Sequence, residues 1–113
     1  MADSPLIIKS KEFALQIIKV CNFVKQTKKE SVLTNQLIRS GTSVGANIRE
    51  AFYANSKADF IAKLQISLKE CYETEYWLEL FVKSDILPRE TAADLYTECG
   101  TIRRILIASI KTA

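Results

Sequence analysis

Residues 36–78, with the sequence QLIRSGTSVGANIREAFYANSKADFIAKLQISLKECYETEYWL, decide the fold. They are typical of two long helices that are separated by one break at Asn55 and Ser56. The first helix is rich in small residues, and the second has an apolar stripe that lasts about five turns. No side chain in the segment is arranged as a nucleophile, a base or a metal ligand. The pattern therefore favours assembly over catalysis.

The rest of the chain extends this pattern to four helices. At 113 residues the chain has the length of one domain. No alternation typical of a β-strand competes with the helical periodicity. Short connections make neighbouring helices antiparallel, so we predict a single all-α domain, an up-down-up-down four-helix bundle. The predicted helices cover residues 5–26, 29–55, 57–84 and 88–112.

Capping signals set the predicted boundaries in the middle of the chain. Thr27 and Glu30 have the spacing of a capping box that can start the second helix. Asn55 can end that helix in a left-handed conformation. Ser56 and Asp59 form a second capping box, which starts the third helix.

Gly41 and Gly45 lie four residues apart on nearly the same face of the second helix. Each glycine in a helix interior costs about 1 kcal/mol relative to alanine, and the close approach of another helix is the usual compensation. A phosphate-binding loop is the alternative, but it needs a preceding strand and a lysine at the helix start. Neither is present, so we predict close helix packing.

Charge is unevenly distributed along the chain. The net charge is +3, but residues 1–63 carry ten Lys or Arg against five acidic residues, whereas residues 64–113 carry six against eight. One face can therefore be basic, either as a solvated lysine-rich surface or as a surface that binds nucleic acid. The candidate nucleic-acid contacts are Lys11, Lys19, Lys25, Lys28, Lys29, Arg39 and Arg49.

The residues that catalysis requires are missing from the sequence. The chain has no histidine, and its three cysteines have no metal-binding spacing. We therefore predict no enzyme activity, no metal and no cofactor. Asn47 and Glu50 are interpreted as a polar pair that fixes helix register or a subunit contact. Glu75 falls within an apolar arc, so we expect it either to pair with an arginine or a tyrosine hydroxyl or to become exposed by rotation of the helix.

Several large apolar residues lie off the predicted core stripes. A helix of a monomeric bundle needs a polar outer face, so such residues on successive helices indicate a protein interface. The candidate interface residues are Leu15, Ile18, Tyr76 and Ile107. The number of cysteines is odd and their spacing is irregular, which predicts free thiols in a reducing compartment. The sequence shows no secretory signal and no apolar span, so we predict a cytoplasmic protein with no membrane contact.

Three segments resemble the 23S rRNA-intervening-sequence proteins, a bacterial family of small four-helix bundles. They are residues 36–39 (QLIR), 43–51 (SVGANIREA) and 56–60 (SKADF), and Glu70 fits an internal glutamate of the family. Two features depart from the family pattern. Ala51 stands where glycine is common, and Ile38 followed by Arg39 replaces a pair of arginines.

The resemblance covers almost the whole chain. The positions that it marks as structural are Gln36, Gly41, Ser43, Gly45, Asn47, Glu50, Ser56, Asp59, Phe60 and Glu70. The family is related to accessory bundle proteins of diversity-generating retroelements. The resemblance therefore implies a homo-oligomer, a pentamer, with RNA or DNA as its partner. The alternative is a protein-protein interaction scaffold with no role in nucleic-acid binding.

Overall fold

Four helices account for nearly all of residues 4–113, the part of the chain that the computed structural model describes. They are α1 (Pro5–Lys28), α2 (Val32–Phe52), α3 (Lys57–Lys83) and α4 (Arg89–Thr112). Ser4 caps α1, because its hydroxyl accepts a hydrogen bond from the backbone N–H of Ile7 at 3.2 Å. The prediction of an all-α protein with four helices is confirmed.

The boundary between α1 and α2 differs from the prediction. α1 continues two residues further, to Lys28, and ends where Lys29 takes a left-handed conformation with φ of 56°. The hydroxyl of Thr27 donates to a carbonyl of its own helix at 2.7 Å and is therefore not a cap. The predicted role of Thr27 at the start of α2 is wrong.

Glu30 starts α2 without help from Thr27. Its carboxylate accepts hydrogen bonds from the backbone N–H groups of Leu33 and Thr34, both at 2.9 Å, and from the Thr34 hydroxyl at 2.7 Å. These bonds satisfy two of the free N–H groups at the helix start. They place the first residue of α2 at Val32, three residues later than predicted.

The end of α2 also comes earlier than predicted. Tyr53 and Ala54 donate to carbonyl groups three residues earlier, which tightens the last turn and ends the helix at Phe52. Lys29 and Asp85 are the non-glycine residues with positive φ in the part of the chain that the structure describes, so Asn55 is not left-handed. The predicted cap of α3 is present, because Ser56 Oγ accepts from the N–H of Asp59 at 3.1 Å.

Each helix packs against its two neighbours in a cycle. α2 and α4 lie on either side of α1, and the same two helices contact α3. Ser67 Oγ donates to the carbonyl of Val44 at 2.8 Å, and Thr74 Oγ1 donates to Ser40 Oγ at 3.0 Å. The α3 partner number falls as the α2 number rises, so these two helices are antiparallel. The bundle measures 44 × 23 × 19 Å.

The core consists of the predicted stripes with one clear exception. Phe52 continues the apolar periodicity of α2 but is 42% exposed, since α2 ends there. Its ring instead meets the ring of Phe60 edge to face, with centroids 5.7 Å apart. Cys21, Cys71 and Cys99 are buried free thiols. No described helix has the combination of length and hydropathy that a membrane span requires.

Candidate functional site

Five of the six lysines of α1 and of the following turn form a cationic region along the helix, and the sixth, Lys9, lies in a cleft beside α4. We call this region the α1 cationic surface, and its members are Lys11, Lys19, Lys25, Lys28 and Lys29. Lys25 is half-buried and the other four are exposed. Within residues 4–113 none of them forms an ion pair. Their charge is therefore directed to solvent or to a partner.

Arg39, unlike these lysines, forms ion pairs within the bundle. Its Nη1 lies 3.0 Å from Glu70 Oε2, and its Nη2 contacts Glu73 Oε2. The hydrogen bond that Arg39 donates to Glu73 raises the pKa of Arg39, and Glu70 adds to this effect. Since the guanidinium joins α2 to two carboxylates of α3, its charge is already compensated. The structure places this candidate nucleic-acid contact in a link between helices.

Glu73 is held in turn by an indole. Trp77 Nε1 donates to Glu73 Oε2 at 3.0 Å. The bond from Trp77 lowers the pKa of the Glu73 carboxyl, and the bond and charge of Arg39 lower it further. Arg39, Glu70, Glu73 and Trp77 therefore form one connected polar cluster on the outside of the α2–α3 seam.

Arg49 and Lys11 flank a groove between α1 and α2. The groove has a volume of about 440 Å³. Small or apolar residues form its floor: Ile7, Ser10, Ala14, Thr42, Gly45 and Ala46. Glu50 also lies at its edge, but its carboxylate pairs with Lys63 Nζ of α3 at 3.3 Å. Both groove cations are exposed, and in residues 4–113 neither has an acidic partner.

Most other residues of the family motif make contacts within the bundle. Asn47 Nδ2 donates to the carbonyl of Ser43 at 2.9 Å, and Ser43 Oγ donates to the carbonyl of Arg39 at 2.6 Å. Asn47 therefore bonds to its own helix and does not pair with Glu50, contrary to our expectation. Gln36 is exposed on α2. The motif residues of α2 thus form bonds within that helix or lie at its contacts with α1 and α3.

The candidate interface residues lie on two different sides of the bundle. Leu15 and Ile18 on α1 are 59% and 37% exposed, and Tyr76 on α3 is 54% exposed. Because α1 and α3 are diagonal and do not touch, these residues cannot form one patch. Ile107 of α4 is half-buried. Further large exposed apolar residues outside this candidate set are Ile8, Phe23, Val32, Tyr53, Ile66, Tyr72 and Tyr96.

Glu75 has the arginine partner that was one of the expected alternatives. Arg103 Nε of α4 donates to Glu75 Oε2 at 3.0 Å, and the Arg103 guanidinium also lies 5.6 Å from the ring centroid of Tyr72. The bond to Glu75 raises the pKa of Arg103. The sequence did not identify Arg103, because its angle on the helical wheel does not show how far a long side chain reaches.

Two of the buried thiols, Cys21 and Cys99, are not activated for chemistry. Burial raises the pKa of Cys21 to about 11. The pKa of Cys99 is also raised, first by its hydrogen bond with Cys71 and then by burial. A thiolate nucleophile requires the opposite shift. In the part of the chain that the structure describes, no three metal-binding side chains come together.

Comparisons with known proteins agree with this architecture. A family model described as "23S rRNA-intervening sequence protein" matches residues 3–108. A crystal structure at 1.70 Å shows a protein of unknown function from the S23 ribosomal protein family of Bacteroides thetaiotaomicron. That protein is 47% identical to this chain, with a TM-score of 0.92 over 94% of this chain and 98% of the other. No curated protein matches.

The family model covers nearly the whole chain, and the similar crystal structure has the same fold over nearly its full length. The motif residues of α2 and α3 occupy defined positions in that fold. The chain therefore belongs to the family of 23S rRNA-intervening sequence proteins.

Proposed function

We propose that the protein is a non-enzymatic homo-oligomer that binds RNA or DNA through the phosphate backbone. The observation that supports this most is the α1 cationic surface, whose lysines have no acidic partner among residues 4–113. Unpaired lysines can replace the counterions of a nucleic acid, which is the main source of sequence-independent affinity. The resemblance to the family implies that five copies assemble.

Some lysines of the α1 cationic surface stabilise the monomer itself. Lys25 and Lys28 lie in the last turn of α1, where cations stabilise the helix dipole. Lys19 lies well before that turn, and Lys29 lies beyond the helix end. The dipole therefore does not account for the whole surface. Base-specific recognition is not proposed. Lysines contact phosphates, which carry no sequence information, and Phe23, the exposed aromatic residue among these lysines, would stack on any base.

We also propose a cytoplasmic location, which the cysteines support. The three buried thiols are free, and unpaired cysteines are usual in a reducing environment. We therefore place the protein in the cytoplasm, where RNA and DNA are accessible to a bacterial protein.

Fluorescence anisotropy with a labelled single-stranded RNA tests the proposal. We expect binding at 50 mM salt, and about four lysine contacts per protomer predict a slope of log affinity against log salt near −3. The triple variant K19E/K28E/K29E should lose most of this affinity. The control variant K57E/K69E/K111E removes the same charge from exposed lysines outside this surface, and it should retain more of the affinity for RNA.

Two results would contradict the proposal. One is an absence of binding at low salt, and the other is equal loss in both triple variants, which would show that net charge alone matters. In either case a protein-protein scaffold becomes the better assignment. Its support is the set of large apolar side chains that remain exposed on α1 and α3.

A further inference from the structure

An exposed face of α4, on the side next to α1, carries three carboxylates that form no ion pair with residues 4–113. Glu90, Asp94 and Glu98 follow one another at four-residue spacing and are all exposed. Like charges at this spacing destabilise a helix by about 0.2–0.5 kcal/mol per pair. We call these three residues the α4 acidic face. The arrangement favours a cationic partner from outside the helix.

Cations close to this face do not neutralise it. Lys9 of α1 lines a narrow cleft together with Glu98 but makes no ion pair with it. Arg104 lies on the same side of α4, further along the helix, and its Nη2 donates to Thr101 Oγ1 at 3.3 Å. Small exposed residues, Ala93 and Thr97, lie beside the carboxylates. Another helix can therefore approach α4 closely.

The groove between α1 and α2 has the complementary properties. Its floor is apolar and shallow because it contains Ala14, Gly45 and Ala46, and Lys11 and Arg49 flank it with two uncompensated charges. Side chains of this size let helix axes approach to the 8–10 Å that is typical of packed helices. The groove thus fits a helix with small residues and negative charge.

The two surfaces cannot meet within one molecule. α4 contacts α1 and α3 but not α2, so the acidic face and the groove lie on different sides of the bundle. We propose that the groove between α1 and α2 receives the α4 acidic face of a second copy of this chain. Each copy then binds one neighbour through its groove and another neighbour through its α4 acidic face. Such a contact between two different surfaces is heterologous and can build a closed ring.

This inference rests on the proposed homo-oligomer and names its interface. It also divides the cations of the first half of the chain between two tasks. Lys11 and Arg49 serve subunit contact, whereas Lys19, Lys25, Lys28 and Lys29 remain for nucleic acid. Leu15 and Tyr76 are not at the centre of the contact.

Complementary charge reversal tests the interface. The groove variant K11E/R49E and the helix variant D94K/E98K change only exposed side chains, so both should fold, which circular dichroism checks. Nuclease-treated protein is then studied by sedimentation velocity at low salt. We expect each variant alone to dissociate at concentrations at which the native protein is assembled. We expect the quadruple variant K11E/R49E/D94K/E98K, which combines both reversals in one chain, to assemble again, because every groove then meets a helix of opposite charge in a ring of any size.

K57E/K69E is the control for the groove variant, because it loses the same two positive charges outside both surfaces. A steric test uses Ala46→Trp in the groove against Ala62→Trp on the exposed side of α3. Assembly of either charge variant alone, or failure of the folded quadruple variant to assemble, would overturn the interface while the oligomer stands. A native protein that is monomeric would overturn the interface and the proposed oligomer together.

Discussion

Gly41 of α2 lies so close to Ile17 of α1 that a Cβ atom on the glycine would be 2.9 Å from both Cγ atoms of the isoleucine. Ile17 is fully buried, and its own Cβ would be only 3.3 Å away. The stem of the isoleucine therefore fills the space, and the side chain has nowhere to move. This contact compensates for the low helix propensity of glycine in the middle of α2.

Gly41→Leu should therefore destabilise the bundle, although leucine is the better helix former. We expect a loss of about 1–3 kcal/mol or more in the free energy of unfolding, measured by urea denaturation. Gly100→Ala is the matched control, because its Cβ would meet only the flexible ends of Arg103 and Arg104 at 3.4 Å. That change should stabilise by up to about 1 kcal/mol. A stabilising Gly41→Leu would exclude close packing at this site.

Removal of Arg103 should be costly because it leaves Glu75 without its partner. The side chain of Glu75 is 9% exposed and that of Arg103 is 24% exposed. We expect Arg103→Ala to lower the free energy of unfolding by about 3 kcal/mol, the lower limit for a buried pair, because Arg103 keeps some contact with water. Arg104→Ala, one residue further on an exposed position, should change it by less than about 0.5 kcal/mol.

A double-mutant cycle decides whether the loss comes from the unpaired carboxylate. The cycle consists of Glu75→Met, Arg103→Met and the double variant, and the double variant should recover much of the stability that Arg103→Met alone loses. If the double variant is as unstable as the single variants combined, lost packing explains the effect and the ion pair does not.

The cap at Glu30 should make stability depend on acid pH. Burial raises the pKa of this carboxyl, but the hydrogen bonds from Leu33 and Thr34 outweigh that effect and lower the pKa below 4.5. A lowered pKa adds stability above the unfolded pKa, and this stability is lost as pH falls through the folded value. Glu30→Gln should cost about 0.5–1 kcal/mol at pH 7 and nothing at the lowest pH. Glu12→Gln, on an exposed position of α1, is the control and should leave the free energy of unfolding at pH 7 nearly unchanged.

Trp77 can report the charge state of Glu73. It is the only tryptophan, and its indole donates to the carboxylate that Arg39 also contacts. Because the pKa of Glu73 is lowered, the emission of Trp77 should change in a transition below pH 4.5. Arg39→Gln removes one of the causes of that shift, so the transition should move to higher pH. An unchanged midpoint would show that Arg39 does not interact with Glu73 in solution.

The sequence predicts the core stripes well because buried helix faces follow a strict period. Glu30 shows where such prediction stops. Thr27 and Glu30 have the spacing of a capping box, yet the backbone after Lys28 turns left-handed at Lys29 and brings Glu30 itself to the free N–H groups of α2. Local spacing identified a cap in this region but could not assign which residue forms it.

The candidate nucleic-acid contacts could be predicted only in part, because the sequence does not show which charged residues other helices bring close to them. Charge counts along the chain found the lysines of α1, but they treated Arg39 as equal to Arg49. The distinction depends on α3, which brings Glu70 and Glu73 to Arg39 and nothing acidic to Arg49. The groove beside Arg49 could not be predicted, because it forms only where α1 packs on α2. The α4 carboxylates could not be recognised as a separate surface, because the sequence does not show that α4 lies away from that groove.

Native mass spectrometry of protein purified at low salt without nuclease tests most directly whether this bundle is a nucleic-acid-binding oligomer. It reports the number of copies and any bound polymer in one spectrum. We predict a closed homo-oligomer, with five copies expected, that carries nucleic acid and loses it as the salt concentration rises. A monomer at micromolar concentration that carries no nucleic acid would contradict both parts of the proposal.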